Sequence, residues 1–169
     1  DSELERMWME NLMEEAVGGQ TDTAGHRDLY IRFGEACGIP QAELDATPPL
    51  PETQGLLTWR ELLIGQRSWL ELYACQGMAL EGTASGRMQK VVNGLVDHYG
   101  FDRDSDEILY WTIHMAVDEE HMLVGPYAIE NYAVSDLEQA AVRKSLRVTL
   151  DTFWLVYDGI QRAFVDGDP

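Results

Sequence analysis

Cations are what this sequence has least of: 12 Lys and Arg stand against 30 Asp and Glu in 169 residues, a formal net charge of −18. So acidic a surface repels phosphate, which argues against nucleic acid and anionic membranes as partners. Its simplest form is a solvated acidic exterior. Cysteine is scarce as well. Cys37 and Cys75 make no disulfide framework, and the expectation is two small buried thiols in a reducing, cytoplasmic setting. No run of 18 apolar residues occurs, and no basic segment precedes an apolar one, so neither a membrane span nor a secretory signal is expected. Alternating strand patterns and internal repeats are missing too.

What is present is helical periodicity, within a length that suits one domain over residues 1–169. Leu4, Trp8, Asn11, Leu12 and Glu15 recur at helical spacing until Gly18-Gly19. A second helix, about residues 22–37, carries His26, Tyr30, Phe33 and Cys37 on one face and stops at Gly38-Ile39-Pro40. Residues 45–55, the only proline-rich stretch, read as a loop. Thr58-Trp-Arg-Glu61 reads as a capping box opening a long helix to about residue 82. Residues 85–99 form another helix, Asp104-Ser-Asp-Glu107 opens one carrying His114, and Ser135-Asp-Leu-Glu138 caps a long last one. The expected fold class is all-α, a bundle of about six to seven helices.

His114, Asp118 and His121 are the most telling group. At roughly 100° per residue, Asp118 falls about 40° and His121 about 20° from His114, so one helix face offers two imidazoles and a carboxylate. Iron or manganese accepts that donor set. Elsewhere, Glu81 closes a stripe of Trp59, Leu63, Leu70, Ala74 and Gly77. Glu15 points along the face of Leu4 and Trp8, with Glu14 about 80° off it. A carboxylate facing a core requires a partner or a cation. Taken singly, His26 is more often a hydrogen-bonded core histidine than a ligand, and for Glu15 or Glu81 a buried salt bridge or a helix-end carboxylate is the default. Taken together, three carboxylates and three imidazoles are the mixed nitrogen and oxygen set of a dinuclear non-haem site. His98 reads as a surface residue. The ferritin-like template, which needs two Glu-x-x-His motifs, fits poorly because the chain contains none.

The order Glu15, His26, Glu81, then His114-x-x-x-Asp118-x-x-His121 resembles the heme-oxygenase-like diiron oxidases and oxygenases. That family is related in fold to the thiaminase-like proteins and the pyrroloquinoline quinone synthase. Glu10-Asn-Leu-Met-Glu-Glu15-Ala-Val-Gly18 followed by His26-Arg-Asp-Leu29 is similar to its second-helix signature. The resemblance covers essentially the whole chain. It implies a heme-oxygenase-like helical bundle, with two Fe ions (Mn as an alternative) held by Glu15, His26, Glu81, His114, Asp118 and His121, and with O2 as co-substrate. The family's further helix ahead of the Glu15 segment is not expected within these residues, and Glu14 stands as an alternative to Glu15.

The implied activity is O2-dependent oxidation of a small metabolite, amino-acid-derived or fatty-acid-like, by N-oxygenation, desaturation or oxidative C–C cleavage, in a biosynthetic pathway. Tyr110, one turn before His114 and about 40° away, is the candidate catalytic residue in the pocket wall, with a packed core tyrosine as the alternative. Trp59, Leu70, Tyr73 and Ala74 are candidate pocket lining beside Glu81. A carboxylate substrate would need Arg67, Arg87, Arg143 or Arg147 turned inward. Two rivals stay open: a cofactor-free enzyme of the same fold using His/Glu acid-base chemistry, and a non-catalytic metal-binding bundle. A homodimer is open as well.

Overall fold

The computed structural model describes residues 2–18, 22–116 and 123–167. Every regular element among them is helical, which gives the all-α class. Among the described residues no helix is long and apolar enough to cross a membrane. The chain divides into two compact units, each built from two separate stretches of sequence.

The first unit takes in residues 1–47 and 81–124. It contains α1 (Ser2–Val17), α2 (His26–Ala36), α3 (Gln41–Ala46), a 3-10 turn at Glu81–Thr83, α6 (Ala84–Tyr99), a 3-10 turn at Asp106–Ile108 and α7 (Leu109–Ala116). Helix α2 is its hub, packed against α1, α3, α7 and the turn before α7. Leu29, Val92 and Ile108 are almost wholly buried there. The end of α1 needs glycine, because Gly18 sits at φ 68°, and a Cβ would meet the Thr23 carbonyl oxygen at 2.4 Å.

The second unit takes in residues 48–80 and 125–169. Its elements are α4 (Pro51–Gln66), α5 (Trp69–Ala74), a π turn at Cys75–Leu80, α8 (Val124–Tyr132), α9 (Asp136–Ile160) and a π turn at Gln161–Val165. Helix α9 packs along α4, α5 and the first π turn. Leu70, Ala74, Ala133 and Val142 form the apolar centre. A buried polar chain crosses it. Ser145 Oγ donates to Glu71 Oε1 at 2.6 Å, Thr149 Oγ1 donates to the Ser145 carbonyl at 2.9 Å, and Trp59 Nε1 donates to Thr149 Oγ1 at 2.8 Å.

Several expectations change, and of the two thiols expected to be buried Cys75 is buried while Cys37 is exposed. The proline-rich stretch does not form one long loop: α3 reaches Ala46, and Pro51 starts α4, as a preset φ at the first helical position favours. Thr58 and Glu61 consequently lie inside α4 and cap nothing. The long helix to residue 82 is broken, because Arg67 turns extended and Ser68 makes a complete capping box with Glu71. A π turn and then a 3-10 turn carry the chain into Glu81, so the stripe drawn from Trp59 to Glu81 on one continuous helix does not exist. Helix α8 was not expected from the sequence, whereas the Ser135–Glu138 capping box opens α9 as expected.

Candidate metal centre

Two histidines and a glutamate of the first unit converge. One ligand atom from each of Glu15, His26 and His114 lies within 4.8 Å of the others. Metal–ligand bonds of about 2.0–2.2 Å put the donors of one ion roughly 3–4 Å apart, so a small inward adjustment seats a cation among them.

Each residue owes its place to a local reason. Glu15 stands near the end of α1, and His26 is the first residue of α2. The two helix ends meet closely because Gly25 separates them: a Cβ there would lie 2.2 Å from the Ala16 carbonyl oxygen. His26 Nδ1 is 2.9 Å from Glu15 Oε2, and Nε2 is 3.7 Å from Glu14 Oε1. Neither contact has hydrogen-bond geometry, so among the described residues both buried ring nitrogens have no hydrogen-bond partner. Buried polar atoms are rarely left so, whereas a cation between the ring and the carboxylates would use them. Burial opposes protonation of His26, but the carboxylates of Glu15 and Glu14 outweigh it and shift the ring upward overall.

His114, near the end of α7, faces His26 with ring centroids 4.5 Å apart. Its Nδ1 is hydrogen-bonded to the Tyr110 carbonyl, which can only accept. Nδ1 therefore carries a proton, which in the neutral ring leaves the lone pair on Nε2, the arrangement that orients a metal-binding histidine. Tyr110 lies against the pair, its ring 4.7 Å from His114 and 6.3 Å from His26. Burial, with the Glu15 charge next and Tyr30 adding, pushes its phenol up to about 12, against a smaller opposing pull from Arg87, so it stays protonated. Tyr110, Glu15, His26 and Arg27 wall a cavity of about 420 Å³.

The remaining candidates are placed differently. Glu81 accepts from Asn11 Nδ2 at 3.3 Å, about one helical turn along α1 from the converging groups. Asp118 and His121 lie outside the described residues. The inward–outward assignment on α1 reverses: the Glu14 side chain is fully buried, while that of Glu15 is 40% exposed. The reason is that α2 crosses the end of α1 so that His26 falls between the two carboxylates, and both flank the ring. Of the expected pocket lining, Leu70 and Ala74 belong to the core of the second unit, Trp59 to its polar chain, and Tyr73 stacks on Trp69. Sequence reasoning missed Arg27 and Asp45 in the cavity wall. No periodic signal marks either, since both lie on polar helix surfaces.

The chemistry available is that of a cation held by imidazole and carboxylate beside a protonated phenol in a small cavity, and this donor set suits iron. No curated protein matches the chain. A family model described as iron-containing redox enzyme matches residues 2–154. Nine-tenths of the sequence is thus accounted for by one family, and the chain belongs to the heme-oxygenase-like iron-containing redox enzymes.

Proposed function

We propose that this oxidoreductase is an O2-dependent non-haem diiron oxidase or oxygenase acting on a small metabolite. The convergence of Glu15, His26 and His114 carries the reading, because two buried ring nitrogens with no hydrogen bond among the described residues stand where carboxylates face them. These three would hold iron. Glu81, Asp118 and His121 complete the set by family resemblance, and Glu14 stands ready on the other side of His26. Bound iron would supply one-electron chemistry and O2 activation.

The chain's own residues do the rest. His114 is held in one tautomer by the Tyr110 carbonyl, so its ring does not need to reorient when it becomes a ligand. Tyr110 keeps its phenolic proton and offers it from the cavity wall as a hydrogen-bond donor. Tyr30, Ile31 and Leu44 give the cavity apolar surface that excludes water from part of a bound substrate.

The deciding experiment is an anaerobic Fe(II) titration of the apoprotein with Mössbauer spectroscopy, followed by O2 uptake with candidate substrates. About two irons per chain and substrate-accelerated O2 consumption support the reading. Absence of stoichiometric iron overturns it and leaves His26, drawn toward protonation by its carboxylates, as a general acid in a metal-free pocket.

A further inference from the structure

In a chain so short of cations, one faces the cavity beside the candidate metal centre. Arg27 follows His26 in the first turn of α2, and it is the sole Arg or Lys in the cavity wall among the described residues. Its Nη2 donates to Asp45 Oδ1 at 3.2 Å, while Gln41 Nε2 donates to the other Asp45 oxygen at 3.4 Å. Among the described residues that is the one hydrogen bond the Arg27 side chain makes. A guanidinium offers five N–H groups in a planar fork that matches a carboxylate through two parallel bonds. The Asp45 contact engages one nitrogen and leaves such an edge available. With side chains 66% and 56% exposed, the pair is screened by water, and an incoming carboxylate can displace Asp45 at little cost. Helix α2 also begins at Gly25 without a side-chain cap, so the positive end of its dipole acts in the same sense.

We propose that Arg27 anchors the carboxylate of a small monocarboxylic substrate whose carbon skeleton lies along Ile31, Leu44 and Tyr30 and reaches the Glu15–His26–His114 centre. This rests on the functional reading above and names its substrate class. Asp45 is the resting partner that the substrate displaces. The four arginines singled out by sequence do not line this cavity; Arg67 lies 5.8 Å from the Trp59 ring centre, Arg87 bonds the Thr83 carbonyl and Arg147 pairs with Asp151.

The test measures binding to the iron-free protein by calorimetry at low ionic strength, with octanoate and 3-phenylpropionate as probes, the amide of each, and octylamine. Both acids are expected to bind at least tenfold more tightly than their amides and than the amine. Arg27→Met should bring each acid down to its amide, and Asp45→Asn should tighten the acids by removing their competitor. Equal binding of acid and amide, or acid binding unchanged in Arg27→Met, would overturn the inference; so would a failure of both acids to bind the Asp45→Asn protein. Iron stoichiometry is measured alongside. Normal iron content with no acid preference defeats this inference alone, whereas acid preference without iron defeats the diiron reading alone.

Discussion

Replacing Ser145 by Ala tests whether the buried carboxylate of Glu71 holds the break between α4 and α5. Glu71 is 7% exposed and accepts three hydrogen bonds: from Ser68 N at 3.0 Å, Ser68 Oγ at 2.9 Å and Ser145 Oγ at 2.6 Å. The last comes from another helix, so it ties α5 to α9. Burial raises the Glu71 carboxyl, but the bonds from Ser145 and Ser68, with the charge of Arg67, outweigh that and leave it below its ordinary value of 4.5. A hydrogen bond to a charged group contributes about 1.5–3 kcal/mol, and losing it inside the fold costs that much. With a urea dependence of about 2 kcal/mol per molar, the unfolding midpoint should fall by roughly 1 M at pH 7. The sign with pH follows from the depressed carboxyl. Its stabilisation is complete above the unfolded value of about 4.5 and is lost as pH falls through the lower folded value. The gap between wild type and Ser145→Ala should therefore be full at pH 7 and narrow toward pH 3. Urea denaturation followed by far-UV circular dichroism at both values reads it. A midpoint shift under about 0.2 M at pH 7, or a gap that widens in acid, would refute the reasoning.

Three further outcomes are expected. His26→Ala should abolish the stabilisation by Fe(II), which at a hundredfold excess over the dissociation constant is about 2.7 kcal/mol and reads as a melting-temperature rise of roughly 5–10 °C in wild type; an undiminished rise in the variant contradicts the assigned ligand. Tyr110→Phe keeps the ring that packs on His114 and should retain full iron while lowering substrate-dependent O2 uptake by about two orders of magnitude or more if its proton is transferred; unchanged uptake removes Tyr110 from the chemistry. Gly25→Ala must push α2 away from the Ala16 carbonyl, so iron affinity should fall along with melting temperature, and a variant with native iron affinity would show that the close approach is dispensable.

The elements that could be read from sequence are those set by local chemistry. Gly18 ends α1 because only glycine tolerates its backbone there, and Ser135 with Glu138 opens α9 because both bonds of that capping box are made within one turn. The break at Arg67–Ser68 was misread for a related reason. Thr58–Glu61 and Ser68–Glu71 both carry the capping pattern, and Pro51, which starts α4 earlier, decides that the first lies inside a helix. At the metal centre, helical angles placed Glu15, His26 and His114 as inward candidates, yet angles on one helix say nothing about which helix lies across from it.

By itself, therefore, the sequence determined the helical class, several of the stops and caps, and the inventory of imidazoles and carboxylates, since each depends on residues within a turn or two of one another. Only the tertiary structure decided that α2 crosses the end of α1 at Gly25, that His26 lies between a buried Glu14 and a half-exposed Glu15, and that Arg27 faces the cavity. Those facts depend on packing between segments distant in sequence, where close approach and burial, rather than periodicity, choose which side chains meet.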